Sequence, residues 1–153
     1  MRKLLGGLFL GLTVADMGAK QYVEDDFKKN EERKTIIPKV VLRKVYNKGF
    51  AFNTLDKYPK VIKGSSAVLA VIVAAYDAWL WFQNGRFLEK IGMALVSAGA
   101  VSNIYDRLVR GKVIDYIGFN CKWKRLRKLT FNLADFYVFI GAVIYSIAQI
   151  FKK

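Results

Sequence analysis

The chain has 153 residues, of which 54% are hydrophobic and 25% are charged, a combination that fits one integral membrane domain over residues 1–153 with charged loops. It has no histidine and only one cysteine, Cys121, which excludes Ser–His triads, histidine-based metal sites, an internal disulfide and a multi-cysteine zinc site. The net charge of +14 lies mostly in loops between apolar segments, so attraction to anionic lipid headgroups explains it better than nucleic-acid binding does.

The apolar segments predict membrane-spanning helices of the usual length of about 17 to 25 residues. The first qualifies if its helix continues past Asp16 toward Val23, and the third qualifies if Glu89 and Lys90 lie at an interface. A cleavable signal peptide is the alternative for the N-terminus, but Asp16 lies where cleavage specificity would be set, which favours a retained helix. Four such segments stand out: Leu4–Ala15, Ser65–Phe82, Phe87–Ile104 and Ala134–Phe151.

The loop after the first segment predicts a small β element. Its opening charge run, 24–34, is interpreted as a solvated turn or short surface helix with i,i+4 pairs Glu24/Lys28 and Asp25/Lys29. The stretch 39–46 is rich in β-branched residues, and residues 47–49 are typical of a turn. The expected fold is therefore an all-α membrane protein with four transmembrane helices and a small extracytoplasmic β element after helix one.

Two aspartates at the edges of apolar segments, Asp115 and Asp135, are the candidate catalytic residues. A carboxylate beside a membrane span is costly unless it is paired, solvated or in use. In a pair that shares one proton, the ionised member takes a proton from water while the protonated member donates to the substrate carbonyl oxygen. The pattern leaves the proton unassigned, because a coupled pair titrates as a unit.

Structural interpretations compete with this one. Asn132 and Asp135 have the spacing of a capping box, in which Asp135 would only cap a helix. Adjacent Asp106 and Arg107 indicate an ion pair at a helix end, and residues 16 and 20 have the same i,i+4 potential.

Two further features of the apolar segments are not assigned to the chemistry. Asp77 inside the second segment is a lone intramembrane acid and is left unassigned. The small residues 97–100 and 141–142 predict close approach between helices.

Five short motifs, in order and over nearly the whole chain, resemble those of signal peptidase II, the lipoprotein signal peptidase family. The chain departs from the family pattern at Met17, Ala19, Ser102 and Phe136. The motifs are D-M-G-A-K at 16–20 (family D-Q-x-T-K), N-K-G-F-A-F at 47–52 (N-x-G-x-A-F), S-N-I-Y-D-R at 102–107 (G-N-x-x-D-R), V-I-D-Y-I-G-F at 113–119 (V-x-D-F-x-x-F) and F-N-L-A-D at 131–135 (F-N-x-A-D).

The resemblance implies a membrane aspartic endopeptidase that removes the signal peptide of a prolipoprotein just before a diacylglyceryl-modified cysteine. It implies a multi-pass monomer in the bacterial cytoplasmic membrane, with its site toward the outer side under a β-cradle formed by the first loop. Its partners would be the lipid-modified prolipoprotein and membrane lipid, without nucleic acid, metal or other cofactor. Asp115 and Asp135 would be the catalytic pair, with supporting residues Asn47, Asn103, Arg107, Asn132, Asp16, Lys20 and Asp106.

The charge distribution conflicts with that orientation. The inner side would carry six Lys and Arg, against eleven in the first loop and eight in the third, whereas the positive-inside rule predicts the opposite. The motif order is preferred, because inversion would put the site on the wrong side for a secreted substrate. Two other interpretations stay open: a non-catalytic four-helix relative or adaptor, and a basic membrane protein whose loops bind lipid.

Overall fold

A computed structural model describes residues 2–29, 31–49 and 54–151. The predicted helices are present, although α2 begins at Pro59 rather than Ser65, since proline is favoured in a first helical turn. The elements in chain order are α1 (Arg2–Asp26), β1 (Glu32–Lys34), β2 (Val40–Asn47), α2 (Pro59–Phe82), α3 (Phe87–Tyr105), a π-helical turn (Asp106–Arg110), β3 (Val113–Phe119), α4 (Lys124–Arg127), β4 (Thr130–Phe131) and α5 (Leu133–Ile150).

Three helical segments among the described residues are long and apolar enough to cross a membrane. They are α2, α3 together with its π-helical turn, and α5. Helix α1 has 25 residues, which is sufficient length, but it carries Asp16 and Lys20 and is less apolar than the other three. A membrane crossing by α1 therefore remains a prediction.

Helix α3 packs against each of the other three long helices, most extensively against α5. Glycines make this closeness possible, as predicted from the small residues. A Cβ at Gly92 would lie 2.8 Å from the carbonyl oxygen of Gly141, and a Cβ at Gly99 would meet the carbonyl oxygen of Ala134. The backbone of α3 thus lies directly against α5 at two places, the first turn of α5 and its middle.

The strands form one antiparallel sheet in the order β1-β2-β3-β4. The predicted β element after helix one is present as β1 and β2, and the third loop, where the sequence predicts no strand, supplies the other two of the four strands. The 113–119 segment is rich in β-branched and aromatic residues, and it pairs with the edge that β2 would otherwise leave unpaired.

Where α1 meets the sheet, Val23 and Phe27 form a buried cluster with Ile114 and Tyr116. This cluster holds β3, and with it Asp115, against the end of the helix.

The predicted helical pairs Glu24/Lys28 and Asp25/Lys29 are wrong, because α1 ends at Asp26, before both lysines. Instead, Lys44 on β2 donates to the carbonyl oxygens of Glu24 (2.6 Å) and Phe27 (3.0 Å). It thereby satisfies carbonyl groups at the helix C-terminus and ties the sheet to α1.

Candidate active site

Strand β3 and the first turn of α5 carry the two candidate aspartates. Asp115 lies within β3, opposite Val45 of β2. The register shifts between Leu42 and Val45, so β2 has one extra residue beside the site, a feature that redirects side chains. Asp135 is the third residue of α5, and Asn132 is its N-cap.

The predicted capping box is present. The main-chain NH of Asp135 donates to Asn132 Oδ1 (3.0 Å), and the main-chain NH of Asn132 donates to Asp135 Oδ2 (3.1 Å). These bonds occupy only one carboxylate oxygen of Asp135. Its Oδ1 accepts a hydrogen bond from Asn103 Nδ2 on α3 (3.0 Å), so the residue does more than cap the helix.

Asn132 also links the two aspartates. Its Nδ2 donates to Asp115 Oδ1 at 2.8 Å, and its side chain is fully buried. One residue therefore hydrogen bonds to both carboxyl groups and sets their relative position. The 19 residues between the two aspartates contain the end of β3, α4 and β4.

Both carboxyl groups line one cavity of about 500 Å³. Among the predicted supporting residues, Asn47, Asn103 and Arg107 line it too, and all three bring polar groups to the level of the carboxyls. The part of the wall that α2, α3 and α5 form away from these polar groups is apolar, and it consists of Leu69, Val73, Val96, Ala100 and Val138. The cavity thus joins a polar site at the sheet to an apolar cleft between helices.

The environment of Asp115 favours its protonated form. Burial, followed by the charge of Asp135, raises the pKa of Asp115 to about 7, while hydrogen bonds from Asn132 and Asn47 oppose this shift. Asp115 therefore retains a proton over most of the acidic range, as a proton donor in a carboxyl pair must.

Beside this pair, Lys20 is fully buried at the centre of a polar network. Its Nζ lies 2.9 Å from Asp16 and 3.1 Å from Asp106, which confirms the predicted Asp16–Lys20 pair. It also donates to Ser102 Oγ (3.0 Å) and Asn103 Oδ1 (2.8 Å). Because Lys20 holds the oxygen of the Asn103 amide, the NH₂ of that amide faces Asp135.

The predicted Asp106–Arg107 ion pair is wrong, since neighbouring helical residues point in different directions. Asp106 binds Lys20 and, at 3.1 Å, Arg110. Arg107 turns to the cavity and donates, at 3.5 Å each, to the main-chain carbonyls of Asn103 and Gly49.

Sequence reasoning gave no role to two members of the network, Tyr116 and Ser102. The Tyr116 hydroxyl donates to Asp16 (2.8 Å) and accepts from the NH of Leu133 (3.2 Å), while Ser102 Oγ donates to Asp16 (2.5 Å). Tyr116 follows Asp115 on a strand, so its side chain points to the opposite face, toward α1. Ser102 appeared only as a departure from a motif.

Two remaining predictions concern the first loop and Asp77. The predicted turn is present, because the NH of Gly49 donates to Asn47 Oδ1 at 3.0 Å. The rest of that motif, Phe50-Ala51-Phe52, lies outside the described residues. Asp77 is half-buried, accepts a hydrogen bond from Ser97, and borders other cavities rather than this one.

The fold and the site define a membrane protein that presents a pair of carboxyl groups to a cavity opening between helices. Residues 8–151 match the signal peptidase (SPase) II family, and the chain belongs to that family.

Curated relatives agree with this assignment, and two solved structures share the fold. A lipoprotein signal peptidase of Sinorhizobium fredii is 36% identical over 133 residues, which are 84% of this chain and 75% of that protein. One from Neisseria gonorrhoeae is 36% identical over 139 residues, which are 90% of this chain and 83% of that protein. Two solved structures described as bacterial membrane enzymes share the fold, each at 19% identity: one has a TM-score of 0.83 over 97% of this chain and 88% of its own, the other 0.81 over 99% and 95%.

Proposed function

We propose that this chain is an aspartic endopeptidase that removes the signal peptide of diacylglyceryl-modified prolipoproteins. As a member of the signal peptidase II family, it is a peptidase that acts on prolipoproteins. The finer proposal is that Asp115 and Asp135 perform the hydrolysis. The observation that carries it is Asn132, which hydrogen bonds to both carboxyl groups at the wall of one cavity.

In the proposed reaction, Asp135 is the base. Each of its oxygens accepts an N–H hydrogen bond, from Asn103 and from Asn132, an arrangement that suits a carboxylate. Asp135 takes a proton from a water molecule as the water oxygen bonds to the scissile carbonyl carbon. Asp115, with its pKa of about 7, donates its proton to the carbonyl oxygen. The proton on Asp135 then passes to the amide nitrogen and a hydroxyl proton of the tetrahedral intermediate returns to Asp115, so the C–N bond breaks and the carboxyl pair is restored.

The other polar residues hold or assist this pair. Asn47 hydrogen bonds to Asp115, and Arg107 brings its positive charge to the wall of the same cavity. The buried network of Lys20, Asp16 and Asp106 acts through Asn103, whose amide it orients toward Asp135. These residues are assigned positioning roles.

The apolar lower part of the cavity supports a lipidated substrate. Leu69, Val73 and Val138 offer a surface on which acyl chains or an apolar signal segment can lie. Each buried CH₂ group of an acyl chain contributes about 0.8 kcal/mol, so two chains can anchor a substrate firmly. We therefore expect cleavage to require prior diacylation of the cysteine.

For location, the chain is assigned to the bacterial inner membrane as an integral protein, in line with its family and its apolar helices. We also propose that the chain is a monomer with four membrane spans. Its site then lies at the outer side of the membrane, where prolipoproteins arrive. Its partners are then the prolipoprotein and the surrounding lipid.

A cleavage assay on a diacylated peptide that includes the modified cysteine tests the proposal. We expect Asp115→Asn and Asp135→Asn each to abolish turnover while the protein stays folded in detergent, because neither an acid nor a base alone completes the reaction. The double variant should be no worse than either single one, since the pair acts as a unit. Asp25→Asn, which changes an exposed carboxylate on α1, is the matched control and should keep full activity.

Substantial activity in either site variant would remove the aspartic mechanism and favour the non-catalytic interpretation of the two acids. Equal turnover of lipidated and unlipidated peptides would contradict the lipid requirement alone.

A further inference from the structure

At the end of the sheet where Val40 pairs with Phe119, two connecting segments come together that the catalytic proposal does not use. Residues 35–39 connect β1 to β2, and residues 120–128 follow β3. They are neighbours, because Val40 pairs with Phe119 and the NH of Asn120 donates to the carbonyl of Lys39 at 2.7 Å. Together these two segments are named the distal edge.

Apolar side chains project from the distal edge. Ile36 is 100% exposed, Ile37 57% and Trp123 66%. The turn that carries the two isoleucines is held by its own hydrogen bonds, since Thr35 Oγ1 accepts from the NH of Ile37 and donates to the carbonyl of Val40. Leaving large apolar side chains in water is unfavourable, so this surface is suited to an apolar or interfacial environment.

The same edge is strongly basic. Residues 120–129 contain five Lys and Arg and no acid, and all five cations are exposed: Lys122, Lys124, Arg125, Arg127 and Lys128. Within the described part of the chain, none of the five forms an ion pair. Arg43 on β2 donates to the carbonyl of Arg127 (3.2 Å), which fixes the basic segment to the sheet.

We propose that the distal edge docks on the anionic phospholipid headgroups of the membrane in which the chain is embedded. Tryptophan is enriched at the headgroup level, the isoleucines reach the acyl boundary, and the cations meet the lipid phosphates. The edge cannot move far from the membrane, because β4 is separated from α5 only by Asn132. This docking is independent of the proposed catalysis, and it gives a role to five of the eight Lys and Arg of the third loop.

The only cysteine lies in the distal edge and provides a reporter. Cys121 is partly exposed and free, so a nitroxide attached to it reports depth through its relative accessibility to oxygen and to a water-soluble nickel chelate. The protein is reconstituted in nanodiscs of phosphatidylcholine or of an equal mixture with phosphatidylglycerol. In the anionic discs, we expect the nitroxide to lie deeper in the membrane and to move more slowly. High salt should reverse the change, because it screens surface charges.

Matched charge variants test the mechanism of docking. Each cation near an anionic surface contributes roughly a fivefold factor, so Lys124→Gln with Arg125→Gln should lower the docked-to-undocked ratio by about 25-fold. Lys28→Gln with Lys29→Gln removes the same charge from exposed positions after α1 and should leave the probe depth unchanged. Ile36→Ser with Ile37→Ser should make the probe shallower in both kinds of disc.

Equal probe depth in neutral and anionic discs would overturn the proposal. Displacement of the probe from the lipid by a polyglutamate peptide would also overturn the proposal, at a peptide concentration that leaves the protein's other lipid contacts unchanged. That result would indicate that the distal edge binds an acidic polypeptide.

Discussion

At the residue scale, Asn132 makes hydrogen bonds of two kinds. Its side-chain oxygen caps α5 and its side-chain nitrogen binds Asp115. A helix cap requires only an acceptor, whereas the link to Asp115 requires a donor in a fixed position. The two functions are therefore separable by substitution.

We expect Asn132→Ser to keep the cap and lose the link. Serine is nearly as good an N-cap as asparagine, so the free energy of unfolding should change by about 1 kcal/mol or less. The shorter side chain does not reach Asp115, so kcat should fall at least tenfold. Unfolding in detergent and single-turnover cleavage measure the two effects. Full activity in Asn132→Ser together with a loss of activity in Asn132→Ala would indicate that the cap alone matters.

The raised pKa of Asp115 predicts a pH dependence of activity and stability. Activity should fall as pH rises through about 7, because Asp115 then loses the proton it donates. Between pH 3.8 and about 7 the folded protein binds more protons at this residue than the unfolded chain does. The free energy of unfolding should therefore decrease as pH rises through that window.

The pH profiles of kcat/KM and of unfolding check these expectations. In Asp115→Asn, the free energy of unfolding should no longer decrease through this pH window. In Asp25→Asn, the pH profiles of kcat/KM and of unfolding should both be unchanged. A profile of kcat/KM that stays flat from pH 6 to pH 9 would contradict the role of Asp115 as proton donor.

At the scale of elements, the contact between α3 and α5 sets the position of Asp135. Gly99 lies against the backbone of Ala134, the residue before Asp135, and Asn103, one turn further along α3, holds Asp135 directly. A displacement of α3 from α5 here would move the two partners of this hydrogen bond apart.

We expect Gly99→Ala to reduce activity strongly. Its Cβ would meet a main-chain carbonyl that cannot move alone, and overpacking of this kind costs about 1–3 kcal/mol. Gly11→Ala on α1 is the control, because nothing lies within 4 Å of its Cβ position. Alanine there should stabilise the helix by up to about 1 kcal/mol with unchanged activity. Full activity of Gly99→Ala in the cleavage assay would show that the close approach is not required.

At the scale of the whole molecule, the orientation in the membrane decides which substrates reach the site. With four spans and both termini in the cytoplasm, Lys48 beside the site faces outward and Asn84 between α2 and α3 faces inward. We expect an impermeant maleimide to label Lys48→Cys, but not Asn84→Cys, on intact cells in a Cys121→Ser background. Labelling of Asn84→Cys but not of Lys48→Cys would indicate the opposite orientation in the membrane. Labelling of both variants would show that α2 does not cross the membrane.

By itself, the sequence determined the long helices, the two aspartates and the capping box. Each of these depends on local features: apolar length, motif spacing, or a polar residue at a helix start. The family resemblance, confirmed by the comparisons, also depends on motif order along the chain.

Tertiary structure alone decided the contacts between distant segments. Lys20 hydrogen bonds to Ser102 and Asn103, which lie more than 80 residues away in sequence. Strand β2 pairs with β3 instead of remaining part of an isolated element. The partners of Asp106 and Arg107 also follow from helix rotation and packing rather than adjacency. Such contacts form because a buried charge or an unpaired strand edge must be satisfied, and only the packed chain determines which distant group satisfies it.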